Sequence, residues 1–308
     1  MSLAPIPRMS DPSERRVELR SHLASGNPLV LPGTSDSAGA MLIERAGFAA
    51  AYVTGAGVSN AQFGVPDIGL ISQTEVLQQV TRIEQATNLP LIVDADTGYG
   101  GVPSVIRTIQ LLERAGASGV QLEDQVMPKR CGHFDGHRLV ETPEMQAKIA
   151  AAVAARIDPN LLIIARTDAR GVYGLDEALR RGHAFIEAGA DALFIEAPQS
   201  DEEMAIIGRE FGGVPLVANV VEGGKTPAKS VAELRELGFT VMLFANFLMR
   251  AMLFAGQQAL EHLSEAGETE SYGSRLLSWQ DRQSMFRLPE YGAVEDRFLT
   301  AWGADSGS

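Results

Sequence analysis

Short apolar runs alternate with amphipathic stretches almost from end to end of the chain. The runs at Pro28–Pro32, Ala49–Val53, Leu89–Val93, Gly119–Leu122, Leu161–Ala165, Ala192–Ile195, Pro215–Ala218 and Thr240–Phe244 read as strands. Their continuous apolar character suits a parallel sheet covered on both faces. Between them, Gln73–Thr87, Ser104–Ala115, Glu144–Arg156, Asp176–Ala188 and Val231–Leu237 have helical periodicity. Strand and helix alternating eight times within about 250 residues predict a TIM-type (β/α)₈ barrel of the α/β class. A doubly wound open sheet is the competing architecture, but it uses fewer strands.

One turn recurs. Arg45-Ala46-Gly47, Arg114-Ala115-Gly116, Glu187-Ala188-Gly189 and Glu236-Leu237-Gly238 each end a helix in glycine, and a strand follows at once. Such a glycine takes the left-handed conformation that closes a helix. Reuse of one αβ turn, without a Pro/Ser-rich linker, argues for a single repetitive unit. The expected layout is an N-terminal extension over residues 1–24, the barrel over 25–255, and a helical segment over 256–308. A barrel needs eight helices, so Leu276–Thr300 is expected to pack elsewhere, on a neighbouring subunit.

Composition narrows the function. The 308 residues carry a formal charge of −13, which disfavours a nucleic-acid partner. No run approaches the roughly 18 apolar residues of a membrane span, and the N-terminus lacks the pattern of a signal peptide. The single cysteine, Cys131, excludes an intramolecular disulfide and fits a reducing, cytoplasmic setting.

Catalytic groups of such barrels gather at the C-terminal ends of the strands. Here those ends read Thr54-Gly55, Asp94 with Asp96, Glu123-Asp124, Arg166, Glu196 and Asn219. Any one acid could be a helix cap. A whole rim of acids, an arginine and an amide has no structural purpose. Asp94, Asp96, Glu123 and the loop residue Asp67 form an oxygen-rich set that suits Mg²⁺, with Mn²⁺ as a substitute. No His or Cys pair has zinc-site spacing. In Lys129-Arg130-Cys131-Gly132-His133, two cations and a histidine flank the thiol, which favours the thiolate and brings its pKa toward a working range.

Val93-Asp94-Ala95-Asp96-Thr97-Gly98-Tyr99-Gly100, Leu122-Glu123-Asp124-Gln125 and Lys129-Arg130-Cys131-Gly132-His133 together resemble the isocitrate lyase/phosphoenolpyruvate mutase superfamily, lyase branch. Ala165-Arg166-Thr167-Asp168-Ala169 and Ala218-Asn219 through Lys225-Thr226-Pro227 extend the match, so that it spans roughly residues 25–255. The resemblance implies a Mg²⁺-dependent carbon–carbon lyase acting on a 2-hydroxy di- or tricarboxylate. It also implies a homotetramer whose eighth barrel helix is exchanged between subunits.

By the same resemblance, Asp94 and Asp96 hold Mg²⁺, with Glu123 and Asp67 helping through water. Thr54, Gly55 and Ala56 hold the oxo-acid carboxylate, and Cys131 is the catalytic acid, with Gly132 and His133 beside it. Arg166, Glu196, Asn219 and Arg250 contact substrate. The chain departs from the 2-methylisocitrate lyase pattern Asn-x-Thr-Glu-Phe-Gly, reading Asn219-Val220-Val221-Glu222-Gly223-Gly224. The Glu-Gly-Gly form is more similar to alkylmalate lyases and oxaloacetate hydrolases. Oxaloacetate hydrolysis and phosphonate chemistry are the rival reactions on this scaffold, and a non-catalytic metabolite-binding barrel is the rival from another class. A Schiff-base aldolase needs a strand-end lysine, which none of the eight runs supplies.

Overall fold

The computed structural model describes residues 10–129, 136 and 138–302. Eight parallel strands close into a barrel in sequence order: β1 (Leu29–Thr34), β2 (Ala51–Val53), β3 (Leu91–Asp94), β4 (Gly119–Glu123), β5 (Leu162–Thr167), β6 (Ala192–Ile195), β7 (Leu216–Asn219) and β8 (Val241–Phe244). Closure is made where Leu29–Pro32 of β1 lies in register with Val241–Phe244 of β8. The eight apolar runs all become strands, shifted by two residues or fewer at either end.

The helices are α1 (Pro12–Ala24), α2 (Ser37–Arg45), the single turn α3 (Gly55–Gly57), α4 (Gln73–Glu84), α5 (Val102–Arg114) and α6 (Thr142–Ala155), then α7 (Ala169–Tyr173), α8 (Leu175–Glu187), α9 (Asp201–Glu210), α10 (Val231–Glu236) and α11 (Phe247–Ala266), and finally α12 (Trp279–Met285) and α13 (Leu288–Ala301). The chain divides into two compact units. One runs from Asp11 to Arg250, and the other takes the described residues from Ala251 to Trp302. In the second unit, α12 and α13 contact each other.

The repeated glycine turn is built as the sequence suggests. Gly47, Gly116, Gly189 and Gly238 have φ between 81° and 99°. In each, the next N–H reaches back to a carbonyl five residues earlier: Phe48 to Ile43, Ala117 to Leu112, Ala190 to Phe185 and Phe239 to Leu234. A left-handed glycine satisfies carbonyls that would otherwise be orphaned at the helix end.

Alternation along the strands sorts the core into two shells. Leu29, Leu31, Tyr52, Ile92, Leu162, Ile164, Phe194, Val217, Val241 and Leu243 belong to one cluster, in which Leu19 of α1 also takes part. The intervening strand residues, such as Val53, Val93, Ile163 and Leu193, pack in the larger cluster with the surrounding helices. The first set is the barrel interior. Because side chains alternate with period two, the inward positions continue beyond it to Thr54, Asp94, Glu123, Arg166, Glu196 and Asn219. Apolar residues thus fill the barrel up to its C-terminal rim, where the same inward register turns polar.

Residues 12–24, read from sequence as part of an extension, form a capped helix. The Asp11 side chain accepts from Ser13 N–H, and Pro12 occupies the first turn. Arg15 donates to Thr87 O at 3.1 Å, and Arg16 donates to Ala117 O at 2.9 Å and Glu113 O at 2.7 Å. These buried guanidiniums satisfy carbonyls in the αβ turns, so α1 is fastened to the barrel end opposite the rim.

Candidate active site

A cavity of about 130 Å³ opens at the rim, lined by Tyr52, Thr54, Asp94, Glu123, Arg166, Glu196 and Asn219, together with Ala56, Asp67 and Lys129. Its polar, charged lining suits a small carboxylate. Its remaining wall is made by the apolar Val221, Leu243 and Ala245 together with the amide of Asn246.

The acids are held on one side. Asp94 ends β3, and its Oδ1 accepts from Asp96 N–H at 3.1 Å and from Gln121 Nε2 at 3.4 Å. Its Oδ2 accepts the Gly55 N–H at 3.3 Å. Gln121 is braced in turn by the Tyr52 hydroxyl, 2.9 Å from Gln121 Oε1. Asp96 sits in a left-handed backbone conformation, φ 48°. That places its carboxylate 2.8 Å from the ammonium of Lys129, which also contacts Asp67 at 2.5 Å. Burial pushes the Asp96 carboxyl up to about 6, against the pull of Lys129. Burial likewise raises Glu123. The Lys129 ammonium is disfavoured by burial, yet Asp96, Asp94, Glu123 and Asp67 outweigh this and hold it charged.

Arg166 lies at the end of β5, beside Glu123 on β4. Its Nη2 donates to Asp168 Oδ1 at 2.9 Å and its Nε to Asp168 Oδ2 at 3.2 Å. Glu123 and Glu196 flank it at 3.5 and 3.6 Å, and the guanidinium lies 5.0 Å from the Phe194 ring centroid. Burial works against its charge, and Asp168, Glu123 and Glu196 more than compensate. Asn219 donates to both Glu196 oxygens at 3.3–3.4 Å. Glu123 Oε1 and Asn219 Oδ1 are buried without a hydrogen-bond partner among the described residues. Two unmatched acceptors in one polar cavity are a place for a ligand, a cation or water.

The donor set fits a hard divalent cation. Asp67 and Asp96 pair with the Lys129 ammonium, Asp94 and Glu123 lie near it, and one Glu123 oxygen is unmatched. Among the described residues, no three Asp, Glu, His or Cys side chains converge tightly enough to grip an ion alone. That suits Mg²⁺, which keeps several waters and takes only one or two carboxylates directly.

The rim residues expected from sequence are therefore brought together: Thr54, Gly55, Ala56, Asp67, Asp94, Asp96, Glu123, Arg166, Glu196 and Asn219. Arg250 is not among the cavity's lining residues; it is half-exposed and paired with Glu222 at 2.9 Å. Cys131, Gly132 and His133 lie outside the described residues. Lys129, read from sequence as a cation flanking the thiol, instead faces the acids. Sequence reasoning also passed over Tyr52, Gln121 and Asn246. Tyr52 and Gln121 had a signal, since each lies two residues before a rim residue and so shares its inward register.

Residues 19–264 match the family model described as phosphoenolpyruvate phosphomutase. The 2,3-dimethylmalate lyase of Eubacterium barkeri is 47% identical over 287 residues, covering 92% of this chain and 98% of its own. A 2-methylisocitrate lyase of Aeropyrum pernix is 41% identical over 288 residues, covering 93% and 91%. Among solved structures, a phosphonopyruvate hydrolase in complex with oxalate and Mg²⁺ superimposes with a TM-score of 0.84 at 31% identity, covering 92% of this chain and 99% of that one. With its closed barrel and acid-lined rim, the chain belongs to the phosphoenolpyruvate phosphomutase family.

Proposed function

We propose that the chain is a carbon–carbon lyase that cleaves a 2-hydroxy dicarboxylate of the 2,3-dimethylmalate or 2-alkylmalate type into pyruvate and a short carboxylate. The observation that carries this reading is the rim itself: an acid cluster, an arginine and an apolar wall around one small cavity, in a chain 47% identical to a 2,3-dimethylmalate lyase. The acids and Arg166 answer to a substrate with two carboxylates and a hydroxyl. Val221, Leu243 and Ala245 give its methyl groups an apolar surface.

Asp94 and Asp96, with Glu123 and Asp67 through water, are the residues that would hold Mg²⁺. When bound, the ion supplies positive charge where the substrate's 2-hydroxyl develops into an alkoxide. On the resemblance, the segment Thr54-Gly55-Ala56 would hold the carboxylate beside that hydroxyl, the Gly55 N–H turning to it from Asp94 Oδ2, which it now meets at 3.3 Å. Glu196, held by Asn219 and Arg166, takes the hydroxyl proton. The O–H electrons become the new carbonyl of pyruvate, and the C2–C3 electrons pass to C3. Arg166 neutralises the carboxylate that stabilises this carbanion. Cys131, assigned on the resemblance, gives C3 its proton, with His133 and Gly132 beside it in the loop.

The assembly that goes with this reading is a homotetramer with exchanged helices in a reducing, cytoplasmic setting. An apolar groove of about 450 Å³ beside β1 and β8, lined by Val30, Pro32, Leu42, Phe48 and Phe244, could receive apolar side chains of a neighbouring helix. Exposed Leu253, Phe254 and Leu260 on α11 supply a matching apolar surface. Among the described residues, no helix is long and apolar enough to cross a membrane.

The test is a panel of 2,3-dimethylmalate, 2-methylmalate, 2-methylisocitrate, isocitrate and oxaloacetate, assayed for oxo-acid release with Mg²⁺. The alkylmalates should give the highest kcat/KM, by about 10–200-fold per correctly placed methyl. Preference for isocitrate or oxaloacetate would contradict the role given to the apolar wall.

A further inference from the structure

We infer that Asp124 and Arg181 are positioning residues that fix Arg166 at the rim from behind, through Thr167 and Asp168. The inference rests on Arg166 being the carboxylate-binding group of the proposed reaction.

Asp124 follows Glu123 at the end of β4 and is fully buried. By strand alternation it points away from the cavity, into the layer between barrel and helices. Both its oxygens are used. Oδ1 accepts the Asp168 N–H at 3.0 Å, and Oδ2 accepts the Thr167 hydroxyl at 2.7 Å. The second oxygen also accepts Arg181 Nη1 at 2.9 Å. Arg181 comes from α8, outside the barrel, and is itself buried. The same Nη1 donates to Val140 O at 2.9 Å, while its Nε donates to Glu177 at 2.8 Å.

The consequence for Arg166 follows from the short span of chain involved. Arg166, Thr167 and Asp168 are consecutive. Asp124 grips the second by its hydroxyl and the third by its N–H, while Asp168 returns a two-pronged contact to the guanidinium of the first. Gln125 Nε2 steadies the same carboxylate, 3.3 Å from Asp168 Oδ2. A planar guanidinium held through two of its nitrogens has one orientation. Thus an ion pair on the far side of the barrel wall sets the angle at which Arg166 meets substrate.

The experiment compares wild type with Arg181→Met, Arg181→Lys and the milder Thr167→Val. It measures KM and kcat for the alkylmalate, oxalate affinity by calorimetry in the presence of Mg²⁺, and thermal melting. Displacement of a substrate-positioning group by about 1 Å costs up to about 100-fold. Arg181→Met is therefore expected to weaken oxalate binding and raise KM by about 10–100-fold. Thr167→Val should shift both in the same direction by a smaller factor, and Arg181→Lys should recover part of the loss. If Arg181→Met fails to fold, Thr167→Val carries the test. A fall in melting temperature with oxalate affinity and KM at the wild-type values would overturn the inference. Oxalate binding is read without turnover, so weakened binding in the variants of a protein that cleaves no alkylmalate would sink the reaction while leaving the positioning role standing.

Discussion

The Lys129 ammonium lies 2.8 Å from the Asp96 carboxylate, and both side chains are buried. A lysine among four acids sits where a divalent cation would be most strongly attracted. Its ammonium offsets repulsion that Asp94, Asp96, Glu123 and Asp67 would otherwise impose on the rim. It is one charge against several, so the cluster retains capacity for a doubly charged ion.

Metal dependence follows. Turnover should disappear with EDTA and return with Mg²⁺ or Mn²⁺, and saturating Mg²⁺ should raise the melting temperature through preferential binding to the folded state. Asp96→Ala should abolish turnover and the Mg²⁺-induced shift while the barrel remains folded by circular dichroism. Undiminished turnover in a chelated sample would contradict the assignment.

Gly55 is a place where one added carbon should be felt. A Cβ there would stand 3.0 Å from Asp94 Oδ2 and 3.4 Å from Asp96 Oδ1. Gly55→Ala therefore has to push Asp94 aside, at about 1–3 kcal/mol of crowding if the carboxylate cannot move. The expected result is weaker activation by Mg²⁺, seen as a higher metal concentration for half-maximal rate. An unchanged metal titration would show that Asp94 need not stay where it is.

How much of this was legible beforehand depends on the range of the interaction. The eight strands and the glycine turns were readable because both are local: an apolar run and a φ-permissive residue appear directly in sequence. Thr54, Asp94, Arg166, Glu196 and Asn219 were readable because strand ends define the rim. The acid partners of Lys129 were not legible for a physical reason. Its neighbours in sequence are Arg130 and Cys131, whereas its partners in space, Asp67 and Asp96, lie on two other loops. Arg181 was invisible for the same reason, since it reaches Asp124 across 57 residues. The helix at residues 12–24 was not legible, because the buried Arg15 and Arg16 that fasten it find their carbonyl partners 72, 97 and 101 residues away.

Glu177 gives a pH-dependent signature away from the site. Hydrogen bonds from Arg180 and Arg181 hold its carboxyl down to about 2 from 4.5, with the Arg180 contact the larger cause. The folded value lies below the unfolded one, so the contribution is present above pH 4.5 and lost as pH falls toward 2. Glu177→Gln should cost about 0.5–1 kcal/mol at neutral pH, because the pair is partly solvated. Urea titrations should show that gap closing near the acid limit. A gap that stays constant from neutral pH to the acid limit would rule out the ion pairs as its source.

In the proposed reaction, the protonation step is assigned to Cys131. Removal of a general acid slows a reaction by about 10²–10⁴-fold. Cys131→Ser should lower kcat within that range, with a modest change in KM and unaltered Mg²⁺ activation. Near wild-type turnover would hand the proton to His133 or to water.

The most direct test of the account is proton NMR of 2,3-dimethylmalate turnover in D₂O with Mg²⁺ present. Cleavage between C2 and C3 predicts pyruvate and propionate in equal amounts. The propionate should carry a single deuterium at its C2, delivered to the carbanion after the bond breaks. Failure to form pyruvate under these conditions, with turnover found only for a phosphonate or for oxaloacetate, would contradict it.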